Sequence, residues 1–170
     1  MKLKTQQNVP TLELDLVNDT RWSLQEQTPK NFTLLVFYRG LHCPVCKRYL
    51  QKLQDRIEAF TARGINLIAI SSDSEKKAKT AYREWEVKDL PIGYEYPIEE
   101  ARKWGLYISK GIKEEEPEIF IEPGLFLIRP DETLYSASIQ SMPFARPEFE
   151  NLLKGIDYVL EHDYPARGEA

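Results

Sequence analysis

The residues best equipped for chemistry are the chain's two cysteines, Cys43 and Cys46, in the run Cys43-Pro44-Val45-Cys46-Lys47. A thiolate is a nucleophile, and two thiols three residues apart at a helix start can close a disulfide with little backbone movement. At that end unpaired backbone N–H groups and the positive end of the helix dipole favour the anion, so Cys43 is expected to have a lowered pKa. Arg39 and His42, close in sequence, can add positive charge. Two other chemistries compete. Zinc needs about four ligands, and His42 and His162, the only histidines, complement the cysteines poorly by spacing. Inert core cysteines are the third reading. A Cys-x-x-Cys between a buried strand and a helix favours the redox dithiol, without metal or cofactor.

The elements that must position this pair follow from hydrophobic patterning. Residues 32–38, Phe-Thr-Leu-Leu-Val-Phe-Tyr, form a short unbroken apolar run, the pattern of a strand buried on both faces. From Cys46 onward Leu50, Leu53, Ile57 and Phe60 recur at spacings of three and four, which predicts one amphipathic helix ended by Gly64. Residues 65–70 read as the next strand, and Ser72-Asp73-Ser74 caps a helix running to about Trp85. Strand, helix, strand, helix implies parallel strands with right-handed crossovers.

Upstream, residues 9–16 alternate as a half-buried strand, and Asn18-Asp19-Thr20 turns into a short strand through Trp22. Downstream, a short helix is expected within 97–106, then a solvated loop at 111–117 carrying three glutamates. An antiparallel hairpin follows at 124–128 and 133–139, and a final helix starts from Pro147 in its first turn. Trp22, Trp85 and Trp104 read as packing groups. The 170 residues suit one domain, 1–170. A net charge of −4 shows no basic face for nucleic acid, and no apolar run approaches a membrane span. The polar start, Met1 to Asn8, lacks a secretory pattern, so the cytoplasm is the expected location.

At these residues the chain resembles the thioredoxin superfamily, and within it the peroxiredoxin branch, the alkyl hydroperoxide reductase and thiol-specific antioxidant family. Residues 9–24 resemble that branch's N-terminal hairpin. Phe37-Tyr38 leads into the active-site turn, and Ser141-Met142-Pro143-Phe144-Ala145-Arg146-Pro147 resembles the segment carrying an active-site arginine. The turn and the ending Tyr164-Pro165-Ala166-Arg167-Gly168 are most similar to a peroxiredoxin-like subgroup. The resemblance implies an α/β, thioredoxin-like fold: a central mixed sheet flanked by helices, with an N-terminal β-hairpin extension.

The chain departs from the peroxiredoxin pattern Pro-x-x-x-Thr-x-x-Cys, in which the last residue is the peroxidatic cysteine. Counted from Phe37-Tyr38, Arg39 replaces the proline, Cys43 the threonine, and Cys46 matches the peroxidatic cysteine. The resemblance therefore implies a thiol–disulfide oxidoreductase with Cys43 as the more exposed attacking thiol. The alternative is a thiol peroxidase in which Cys46 attacks a hydroperoxide and Cys43 resolves. A redox-switched binding protein is the non-enzymatic alternative. Arg146 would face the thiolate, and Pro123, in Glu122-Pro123-Gly124-Leu125, would hold a cis bond across the dithiol. Implied partners are a hydroperoxide or protein disulfide, a thiol donor such as thioredoxin or glutathione, and a second copy in a homodimer.

Overall fold

A computed structural model describes residues 3–170, so Met1 and Lys2 of the polar start lie outside the described residues. The centre is a five-stranded sheet built on β3 (Phe32–Phe37). That strand pairs in parallel with β4 (Ile65–Ile70) and antiparallel with β8 (Gly124–Ile128), while β5 (Ile92–Gly93) and β9 (Leu134–Ile139) form the edges. The order across the sheet is β5-β4-β3-β8-β9. Every residue of β3 is buried. Its alternation divides the core: Leu34, Val36 and Tyr38 face one hydrophobic cluster, and Leu35 and Phe37 face the other.

The first cluster is closed by α1 (Pro44–Gln54), α2 (Ile57–Ala62), α3 (Glu75–Glu84) and α5 (Phe149–His162) through Leu50, Leu53, Phe60, Ala81, Leu153 and Ile156. The second is closed by the hairpin β1 (Glu13–Asp15) and β2 (Arg21–Ser23), and by α4 (Ile98–Lys103) with Trp104. Trp85 and Trp104 are buried and Trp22 packs against the second cluster, as packing groups should. Among the described residues no helix is long and apolar enough to cross a membrane.

The helix expected through Gly64 is two helices. At the junction the Arg56 N–H donates to the Leu53 carbonyl, a tighter closure than the helical one, which turns the axis while leaving Leu53, Ile57 and Phe60 on the core side. The final helix starts later than expected. Glu148 is its N-cap and its carbonyl accepts from Leu152, so Pro147 lies outside the first turn, where its carbonyl receives the Tyr49 hydroxyl. The strand expected at 9–16 shortens to β1, which pairs with β2, and Leu16 beyond it makes a single bridge to Gly93.

A two-stranded sheet, β6 (Ile108–Lys110) and β7 (Ile119–Ile121), brackets the expected acidic loop. Glu116 closes that loop by accepting from the Ile112 and Lys113 N–H groups.

Candidate functional site

β3 is the rigid support of the site, and the chain leaves its end through Tyr38, Arg39, Gly40, Leu41 and His42 before α1 begins. Gly40 has φ +138°, and a Cβ there would stand 2.5 Å from Asp73 Oδ1. Only glycine fits that turn. Of the residues expected to cap α3, Ser74 alone does so, accepting from Lys77 N. The Asp73 carboxylate is instead buried beneath the turn, and its Oδ2 accepts the Leu41 N–H at 2.8 Å. Burial pushes its pKa up.

Cys43 is the N-cap of α1, and Pro44 occupies the first helical position, where its missing N–H costs nothing. The Cys43 sulfur accepts the Cys46 N–H at 3.3 Å, so a thiol does the work a capping oxygen usually does. Both thiols are free. Cys43, expected to be the more exposed of the two, is only 3% so, against 0% for Cys46. The difference is small because α1 and the first core cluster enclose both sulfurs.

Their protonation differs sharply. The Cys43 thiol is drawn down to about 6, first by the hydrogen bond from the Cys46 thiol, with burial opposing. The Cys46 N–H and the charges of Arg39 and Arg146 assist. Cys46 is pushed upward, first by burial and then by holding the proton it donates to Cys43. The two thiols thus share one readily lost proton and titrate as a pair.

Two arginines lie near enough for their charges to act on Cys43, and they are held in opposite ways. Arg39 Nε and one terminal nitrogen form a fork with Glu122, both contacts 2.8 Å, and the guanidinium carbon lies 5.4 Å from the Phe120 ring centroid. Glu122 is 1% exposed and also accepts the Ser109 hydroxyl at 2.6 Å. The charge of Arg39 is therefore largely answered by a carboxylate on the connection between β7 and β8. Arg146 is buried, its Nε donating to the Pro143 carbonyl at 2.8 Å. Its guanidinium lies 4.1 Å over the Tyr49 ring, and both terminal nitrogens are buried without a protein partner among the described residues.

Two expected contributors act differently. His42 is half-buried edge-on against Phe120, centroids 4.7 Å apart, and burial lowers its pKa. It is therefore neutral near pH 7 and does not supply the positive charge expected beside Cys43. Among the described residues no peptide bond is cis, so Pro123 is trans. Trans is the ground state of an X-Pro bond, and here it lets Pro123 lead straight into β8, its carbonyl accepting from Gln140 N at 3.0 Å. That carbonyl is committed to the sheet.

Glu122, Tyr49, Asp73 and Ser109 join the site without having been singled out as members of it. Signals existed for two of them: Glu122 precedes the flagged Pro123, and Tyr49 lies three residues after Cys46 on the buried face of α1.

The AhpC/TSA family model matches residues 5–137. The sequence matches none of the curated proteins. Among solved structures the fold is similar to peroxidoxin BcpB from Mycobacterium tuberculosis, with TM-score 0.74 and 18% identity over 92% of this chain and 98% of that one. It is similar to Enterococcus faecalis AhpC, with TM-score 0.75 and 19% identity over 98% and 99%. A cysteine-to-serine mutant of the peroxiredoxin 6 of Arenicola marina gives TM-score 0.76 and 19% identity over 93% and 74%. At these identities the structures speak for the fold, a thioredoxin-like α/β sandwich.

Proposed function

The chain belongs to the AhpC/TSA family of thiol-dependent oxidoreductases, and from that premise we propose that it is a thiol–disulfide oxidoreductase with Cys43 as nucleophile and Cys46 as resolving thiol. One observation carries the reading: the Cys43 sulfur caps α1 and accepts the Cys46 N–H. That geometry favours the anion at Cys43 and keeps the proton at Cys46.

The chemistry runs in two exchanges. The Cys43 thiolate attacks one sulfur of a substrate disulfide, forming a mixed disulfide and expelling the other sulfur as thiolate. Cys46 then loses its proton and attacks the Cys43 sulfur, releasing the second substrate thiol and leaving a Cys43–Cys46 disulfide. An external thiol such as thioredoxin or glutathione returns two electrons and two protons. The reducing cytoplasm is the compartment in which this cycle fits.

A second reading is favoured by the unpartnered nitrogens of Arg146, whose charge acts on Cys46 as well. There Cys46 attacks a hydroperoxide, becomes a sulfenic acid and releases an alcohol or water; Cys43 then attacks the sulfenic sulfur, forming the disulfide and releasing one water.

Single serine variants separate the two. With oxidised glutathione as substrate, Cys43→Ser abolishes turnover and Cys46→Ser accumulates a mixed disulfide on Cys43, read by mass spectrometry. Rapid sulfenic acid on Cys46 with Cys43 unreactive would overturn the first reading.

A further inference from the structure

Arg146 sits in a segment without helix or strand, 140–148, whose neighbours Met142 and Phe144 are 44% and 72% exposed. Such a segment does not by itself hold a guanidinium in place. Two α1 side chains reach it: Lys52 through an exposed ion pair with Glu148 at 3.5 Å, and Tyr49 through a hydrogen bond. Its hydroxyl donates to the Pro147 carbonyl at 2.6 Å, immediately after Arg146, and its ring carries the Arg146 guanidinium at 4.1 Å. Phe149 supports that ring, centroids 4.3 Å apart, and Phe60 packs edge-on against Phe149 at 6.1 Å. The hydroxyl stays protonated, since burial raises its pKa.

We propose that Tyr49 is a positioning residue that acts through Arg146: its ring seats the guanidinium against the dithiol while leaving that guanidinium's charge uncancelled. The proposal rests on the reading of the Cys43–Cys46 pair as the reacting thiols. A carboxylate in this place would seat the arginine equally well and neutralise it, as Glu122 does for Arg39. An aromatic face attracts the cation through its quadrupole and removes none of its charge. The terminal N–H groups stay free to meet an anion, whether the thiolate of the resting pair or charge developing on sulfur during exchange. Tyr49 also lies one helical turn beyond Cys46, so one helix and its N-cap carry both thiols and the anchor of the arginine that serves them.

The test keeps the shape of the ring and changes its electronics. Tyr49→Phe preserves the cation–π face; Tyr49→3,4,5-trifluorophenylalanine fills nearly the same space with the negative face withdrawn. The readout is the pH profile of Cys43 alkylation by iodoacetamide under reductant, resolved by site with mass spectrometry. Tyr49→Phe is expected to keep the wild-type midpoint to within about 0.3, the trifluoro variant to raise it by about 0.5–1, and Arg146→Ala to raise it by at least as much. In the Arg146→Ala background the two ring variants should coincide. Equal midpoints for the two rings with Arg146 present, or an undiminished difference without it, overturn the proposal. If alkylation below pH 7 falls on Cys46 instead, the assignment of the nucleophile fails. The comparison of rings then still decides the role of Tyr49, read on the Cys46 midpoint.

Discussion

Replacing Cys43 by serine should remove a pH-dependent part of the fold's stability. In the folded protein the Cys43 thiol stands at about 6, against an ordinary value of 9.0. A group whose pKa falls on folding contributes stability that is complete above its unfolded value and is lost as the pH drops through its folded one. The window therefore runs from about pH 9 down to about 6. The full gap is worth at most about 4 kcal/mol, at about 1.4 kcal/mol per pH unit. Cys43 is 3% exposed, so solvent screening takes little from this. Between pH 6 and 8 the stability of the wild type minus that of Cys43→Ser should grow by about 2 kcal/mol. Cys46 has the opposite sign, because its raised pKa costs stability only at alkaline pH, and the measurement is best kept below about 8.5. Urea denaturation of both proteins under reductant, at half-unit pH steps, gives the difference directly. A difference flat with pH, or shrinking as pH rises, would refute the assignment of Cys43 as the low-pKa thiol whatever the absolute stabilities.

Two other substitutions probe the supports of the pair. Glu122→Gln leaves Arg39 with half its fork and a charge no carboxylate answers. It should cost about 2–4 kcal/mol, seen as a Tm lower by roughly 5–15 °C, and should speed Cys43 alkylation below pH 6. A stable variant with slower alkylation would contradict that. Gly40→Ala puts a Cβ within 2.5 Å of Asp73 Oδ1 at φ +138° and should cost about 1–3 kcal/mol, measured by thermal melting, as the turn shifts to escape the clash. An unshifted Tm would show that the turn tolerates a side chain there.

Much of the scaffold is legible in the sequence because single rules govern it. β3 reads plainly since burial on both faces leaves an unbroken apolar run, and α1 reads plainly since Leu50 and Leu53 recur on one face above the cysteines. The break after Gln54 is invisible to periodicity because Ile57 and Phe60 keep the same side of the axis across it. The hairpin β6–β7 is too short for its alternation to stand out, and with it Phe120 and Ser109 escape notice. Arg146 could be flagged only by resemblance: a polar, irregular segment carries no period from which burial could be read. Its seat on Tyr49 joins residues 97 apart in the chain, a pairing that only the folded structure displays.

The two arginines explain how a pair of enclosed thiols can lose one proton and keep the other. Each cation on its own favours a thiolate, and two unanswered cations beside two thiols would favour ionising both. A doubly ionised pair is poor for exchange, since Cys46 would lose the thiol that hydrogen-bonds to Cys43 and lowers its pKa. Arg39 stands where the peroxiredoxin pattern has a proline, so this chain carries an additional cation at the turn. Glu122 answers that cation with a buried fork, so Arg39 braces the turn against β7 and β8 while its charge still assists at Cys43. Arg146, resting on a ring instead of a carboxylate, keeps its full charge for the pair. One cation is paired with a carboxylate and one rests on a ring, which links the fork at Glu122 and the ring at Tyr49 as two supports of the same electrostatic site.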